Sequence, residues 1–124
     1  MKIITNNPLV QVEYPELTEF HDTGVRDIML KVRNYIHLGA ELVSHPVTGS
    51  LPPGENPYKS IVIKEADENT GITTDFFSLT LIENAINQLP ENPESNVMYD
   101  TGTLDDFQTI DIDLIKSCIQ KYNL

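Results

Sequence analysis

Thr23-Gly24-Val25-Arg26-Asp27-Ile28-Met29-Leu30-Lys31-Val32-Arg33-Asn34-Tyr35-Ile36-His37-Leu38-Gly39, with Leu42-Val43-Ser44-His45-Pro46 close behind, is the stretch from which a fold can be argued. Val25, Ile28, Met29, Val32 and Ile36 recur at i, i+3, i+4, i+7 and i+11, one apolar face of a helix over 24–38. Asp22 or Thr23 is placed to cap its first amides, and Gly39 supplies a left-handed stop. At 1.5 Å per residue the helix runs roughly 22 Å, enough to cross a sheet. Leu17-Thr18-Glu19-Phe20-His21 before it alternates apolar and polar like a strand, and Leu42-Val43 opens another. A strand–helix–strand unit with short joints favours parallel pairing and a right-handed crossover.

Outward from this unit the pattern continues. Lys2-Ile3-Ile4-Thr5 reads as a short buried strand stopped by Asn6-Asn7-Pro8, a turn signal. Ser60-Ile61-Val62-Ile63-Lys64 is a second buried strand, rich in β-branched residues. Leu79, Ile82, Ala85, Ile86 and Leu89 mark a helix over 78–89, with Asp75 or Ser78 as its cap and Pro90 as its end. Leu114, Ile115, Cys118, Ile119 and Tyr122 mark a final helix over 112–122, with Asp111 near its start. Residues 90–106, rich in Pro, Asn, Asp, Glu, Gly and Thr, read as an exposed acidic excursion. The expected fold is a single α/β domain over 1–124, with a mainly parallel sheet of about four strands and about three helices.

Composition narrows the function classes. The 124 residues are 40% hydrophobic and 22% charged, a globular balance that argues against disordered, collagen-like and coiled-coil chains. Cys118 is a lone cysteine and cannot close an internal disulfide. No apolar run is long enough to span a bilayer, and Met1–Asn6 is too short for a secretory core, so the expected location is cytoplasmic. The net charge of −11 is lopsided: residues 65–115 carry twelve acids and no Lys or Arg. Such a surface repels nucleic acid and anionic membranes. It serves either as a solvated, solubilising face or as a dock for a basic partner.

Ligands in open α/β sheets tend to sit beyond the carboxyl ends of strands. Those ends supply Asn6, Asn7, Asp22, Thr23, Ser44 and His45. The connection 46–59, stiffened by Pro46, Pro52, Pro53 and Pro57, could bring Thr48, Ser50, Tyr58 and Lys59 over them. The candidate ligand-binding set is therefore Asn6, Asn7, His45, Ser50, Tyr58 and Lys59, suited to a small anionic or polar ligand. The competing reading is that strand ends in any α/β domain are polar, and that His45 is a loop imidazole bonded to backbone.

Metal and nucleotide chemistry lack a pattern, so no cofactor is expected. His21, His37 and His45 match no zinc spacing, and Asp105, Asp106, Asp111 and Asp113 lack the glycine and closing glutamate of an EF-hand loop. Gly49-Ser50-Leu51-Pro52-Pro53-Gly54 has GxxxxG spacing, but Glu55-Asn56 follows where Lys and Ser/Thr are required.

Ile4-Thr5-Asn6-Asn7-Pro8-Leu9-Val10, Val32-Arg33-Asn34-Tyr35-Ile36-His37, His45-Pro46-Val47-Thr48-Gly49-Ser50 and Asn56-Pro57-Tyr58-Lys59-Ser60-Ile61, taken in order, resemble the GrdX family. The resemblance covers residues 1–64 and, more loosely, the helix at 78–89. It implies an accessory role beside the glycine, sarcosine and betaine reductase components of anaerobic bacteria, in reductive amino-acid fermentation. Those components are the implied partners; the resemblance assigns no catalytic residue. The alternatives are a small hydrolase or transferase for a phosphorylated or carboxylated metabolite, using His45 and Lys59, and a structural partner docking through the acidic half.

Overall fold

A computed structural model describes residues 1–47, 54–67, 69, 71–90 and 99–123. Along the chain lie β1 (Lys2–Thr5), α1 (Pro8–Glu13), β2 (Thr18–Phe20), α2 (Val25–His37), β3 (Glu41–Leu42), β4 (Ser60–Lys64), α3 (Phe76–Asn87) and α4 (Thr101–Lys121). The strands form one sheet in the order β2-β1-β4-β3. Ile3, Ile4, Ile61, Val62 and Ile63 are fully buried, because β1 and β4 are central and covered on both faces. Ile4, Ile61 and Ile63 pack with Ile28, Met29, Val32 and Ile36 of α2 and Ile82, Ala85 and Ile86 of α3. Ile3 and Val62 point the other way, onto Val10 of α1 and Ile112, Ile115 and Ile119 of α4. Alternation along each strand thus feeds two cores, one per face.

The sheet is mixed, which corrects the mainly parallel expectation. β1 pairs β2 in parallel, with Ile4 opposite Glu19, but β4 is antiparallel to both β1 and β3. β3 therefore runs in the same direction as β2, but the two do not pair with each other as the strand–helix–strand reading expected. The two lie at opposite edges because β1 and β4 fill the gap between them. β1 and β2 pair directly, because α1, a one-and-a-half-turn helix between them, lets the chain cross back for parallel pairing. β1 ends at Thr5, before Asn6 and Asn7, and Pro8 starts α1. Its missing N–H is one of the donors a helix leaves unpaired anyway, and Asn7 caps the turn.

α2 starts at Val25, one residue later than read from the sequence, with Gly24 at its N-cap and no side-chain cap from Asp22 or Thr23. Gly39 closes it with φ +101. α3 is capped by Asp75 rather than Ser78, whose own N–H donates to the Asp75 carboxylate. α4 is longer than the expected 112–122 helix: it spans 21 residues from Thr101, capped by Asp100. Its first two turns occupy the end of the 90–106 stretch read as an excursion, of which 91–98 lie outside the described residues. Among the described residues no helix is long and apolar enough to cross a membrane.

Candidate functional site

Asn6 and Asn7 leave the end of β1 where β4 begins. Asn6 spends its amide on neighbouring chain: Nδ2 donates to the Thr23 and Pro57 carbonyls at 2.8 and 2.9 Å, and Oδ1 accepts from the Lys59 amide at 2.8 Å. Asn7 Oδ1 accepts the Leu9 amide at 3.0 Å, while Nδ2 donates to the Gln108 carbonyl and to Asp111 Oδ2. Tyr58 stands in the same group, its hydroxyl accepting from Gln108 Nε2 at 3.0 Å.

Asp111, which sequence reading placed near a helix start and in an acidic cluster without a calcium-loop pattern, is the hub. Its Oδ1 accepts the Ser60 amide at 3.0 Å; its Oδ2 accepts the Ser60 hydroxyl at 2.6 Å and the Asn7 amide at 2.9 Å. Thr5 Oγ1 joins Ser60 Oγ at 2.6 Å. Burial pushes the Asp111 carboxyl up; the bonds from Ser60 and Asn7 and the charge of Lys59 pull back without cancelling it. Burial in turn lowers the Lys59 ammonium, against the opposing pull of Asp111. The network ties β1, the start of β4 and α4 together. The sequence signal was a carboxylate four and eight residues before Ile115 and Ile119, on the stripe that α4 buries.

The other predicted residues separate. His45 is exposed beyond β3, and its Nδ1 accepts the Val47 amide at 3.0 Å, the backbone-bonded loop arrangement. Ser50 and Thr48 lie outside the described residues. Asn6, Asn7, Tyr58 and Lys59 are thus brought together around Asp111, and no hydrogen bond among the described residues links His45 to them. Asp105, Asp106 and Asp113 face solvent while Asp111 turns inward, and no group of three metal-ligating side chains gathers among the described residues. Burial raises the Cys118 thiol, with Lys121 opposing, which makes it a poor thiolate.

A second polar group, unmarked in the sequence reading, stands between edge strand β2 and α2. Glu19 faces α2 and accepts three donors. Oε1 takes the Tyr35 hydroxyl and Lys2 Nζ, the latter at 3.5 Å, and Oε2 lies 2.7 Å from His21 Nε2. Burial works to raise the Glu19 carboxyl, but the bonds from His21 and Tyr35 and the charge of Lys2 prevail and lower it. The Tyr35 hydroxyl is raised by its bond to Glu19 and by burial. Burial works to lower Lys2, yet its bond to Tyr35 and the charges of Glu65 and Glu19 raise it overall. Glu19, His21, Lys31, Asn34, Tyr35 and Leu38 line a depression of about 260 Å³. Positions 31, 34, 35 and 38 are one helical stripe, so the spacing was visible; that Glu19 and His21 face it required the sheet.

No curated protein and no solved structure matches the chain. A family model described as GrdX-like protein matches residues 2–120, extending through the whole of α3 and nearly all of α4. The polar hub on Asp111 and the Glu19 group both fall within the matched span, and the chain belongs to the GrdX-like protein family.

Proposed function

We propose that this chain is a non-catalytic accessory protein of the glycine reductase system that holds a basic, apolar-anchored segment of a reductase component at the start of α3. The observation that carries the reading is the pair Phe76 and Phe77, which stand 75% and 72% exposed, with Ile72 just before them at 70%. Single exposed apolar residues are ordinary, but two adjacent phenylalanines on a well-formed helix leave binding energy unused. Burying one such ring is worth about 1.5–3 kcal/mol. Asp75 adjoins the pair, and it sits in the stretch 65–115 that carries twelve acids and no Lys or Arg. That charge selects a cationic partner segment and steers it in. The family resemblance supplies the identity of the partner. At the strand ends, Asn6 and Asn7 are engaged in holding the fold together, which supports a scaffold role for that region.

Biolayer interferometry against purified glycine reductase components tests the proposal. Binding is expected, weakening steeply above about 0.15 M salt as exposed charges are screened. Replacing both rings, Phe76→Ser with Phe77→Ser, should weaken it by about tenfold or more while leaving the circular dichroism spectrum intact. Two results overturn the proposal: no component bound by the unmodified chain, or equal binding by the double variant. Sedimentation showing a homodimer that the double variant dissolves would assign the patch to a second copy instead.

A further inference from the structure

We propose that the docking surface at the start of α3 extends across the end of α2 into the depression between β2 and α2, and that it takes a partner segment with a basic stretch between two apolar anchors. This deepens the docking reading and rests on it for the identity of the partner. Among the described residues eight large apolar side chains stand exposed, and four of them, Leu38, Ile72, Phe76 and Phe77, lie on segments that meet at one corner of the fold. The meeting point is Gly39. A methyl built there would lie 3.0 Å from the Ala66 Cβ and 3.7 Å from the Thr73 carbonyl oxygen. The close of α2 thus packs on the chain just after β4 and on the approach to α3. Leu38 and Ile72 each stand one residue before a member of this contact, at 59% and 70% exposure. Phe76 and Phe77 follow in the first turn of α3. On the other flank Leu38 lines the depression with Tyr35, and the surface there is mostly apolar. Apolar surface so continues from one helix to the other, and contiguous exposure of this kind marks an interaction site.

Charge sets the order of groups along the partner segment. The stretches that meet at the corner, 38–41, 64–67 and 71–77, carry Glu41, Glu65, Asp67 and Asp75 against Lys64. Lys2 reaches Glu65 at 3.5 Å but is shared with Glu19, so acids remain in excess there. Cations of a partner are attracted to that middle ground. The depression differs. Glu19, the carboxylate in its lining, is already bonded by Tyr35 and His21, and Lys31 borders it, so a further cation gains nothing and an apolar side chain fits. Phe76 and Phe77 receive the second apolar anchor at the opposite end.

The test is fluorescence anisotropy of a labelled synthetic peptide in which a run of lysines separates two Leu-Leu-Phe ends, beside a shuffled peptide with the lysines gathered at one end. The unmodified protein should bind the first peptide with a Kd below about 1 mM. Leu38→Ser and Ile72→Ser should each weaken it about fivefold through lost apolar burial, with circular dichroism unchanged. Val12→Ser should leave binding intact: Val12 is 76% exposed, but on α1, which covers the opposite face of the sheet. The shuffled peptide should bind about fivefold more weakly, because its charge no longer meets the acids. The proposal fails if the first peptide does not bind up to about 1 mM. It fails equally if neither Leu38→Ser nor Ile72→Ser weakens binding, if Val12→Ser weakens it as much, or if the shuffled peptide matches the first. Reductase components separate this inference from the reading beneath it. If the peptide pattern holds and no component binds, the surface stands and the identity of the partner falls. If components bind and Phe76→Ser with Phe77→Ser weakens them while Leu38→Ser does not, the extension falls and docking at α3 stands.

Discussion

Asp111 shows what a single residue contributes here. It is 3% exposed, yet it sits on a helix whose other buried positions are isoleucine. A carboxylate in that setting is tolerated because three donors converge on it, from Ser60 and Asn7. Asp111→Asn keeps the shape but offers one oxygen where two were used, so a donor is left without an acceptor at a cost of about 1–3 kcal/mol. The pH dependence has a definite sign. Burial raises the folded pKa above the ordinary 3.8, so the folded chain holds this proton more tightly than the unfolded one. The stability that Asp111 contributes is therefore complete below 3.8 and is lost as pH rises through the raised folded value. Urea unfolding at a series of pH values should show the margin of the unmodified protein over Asp111→Asn narrowing across that window and then levelling. A margin that widens with pH would refute this account. The lock was illegible beforehand because Asn7 and Asp111 stand 104 positions apart, and nothing local announces such a pairing.

Elements were legible in proportion to their length and periodicity. α2 and α3 declared themselves through apolar residues every three or four positions, and each was found within two residues of the expected range. α1 has six residues, too few to display a period, and its first residue is a proline that equally well ends a strand. The first half of α4 was hidden by Gly102, Asp105 and Asp106, which suggest a loop but lie on its exposed face. Ends can be tested directly. Gly39 has φ +101, and a methyl added there would lie 3.0 Å from the Ala66 Cβ. Gly39→Ala should cost about 1–2 kcal/mol, seen as a lower urea midpoint with unchanged slope. Asp75→Ala removes the cap that receives the Ser78 amide and should cost about 1 kcal/mol by the same measurement. A neutral result at Gly39 would contradict both the strain expected of a side chain at φ +101 and the contact with Ala66.

At the scale of the molecule, charge is the dominant nonspecific term. The formal charge of −11 is the excess of acids left after every Lys and Arg is counted, and the surface ion pairs are individually weak. Sodium chloride should therefore stabilise the protein, raising its melting temperature by a few degrees between about 0.02 and 0.5 M as repulsion is screened. Thermal unfolding across that range checks the sign; a falling melting temperature would show that attractive pairs prevail. The unbroken apolar runs Ile3-Ile4 and Ile61-Val62-Ile63 already read as buried strands; their central place in the sheet is a finding of the structure. Hydrophobic period, turn residues and charge distribution are local quantities, and through them the chain alone specified an α/β body with helices over a buried sheet. Strand order is not local. Joint lengths constrain the direction of β3 relative to β2, but which strands lie between them depends on packing the two apolar faces of β1 and β4. That same packing turned Asn7 toward Asp111 and set Glu19 and His21 against the polar stripe of α2, because each side chain takes its partner from whichever element the closed core brings alongside.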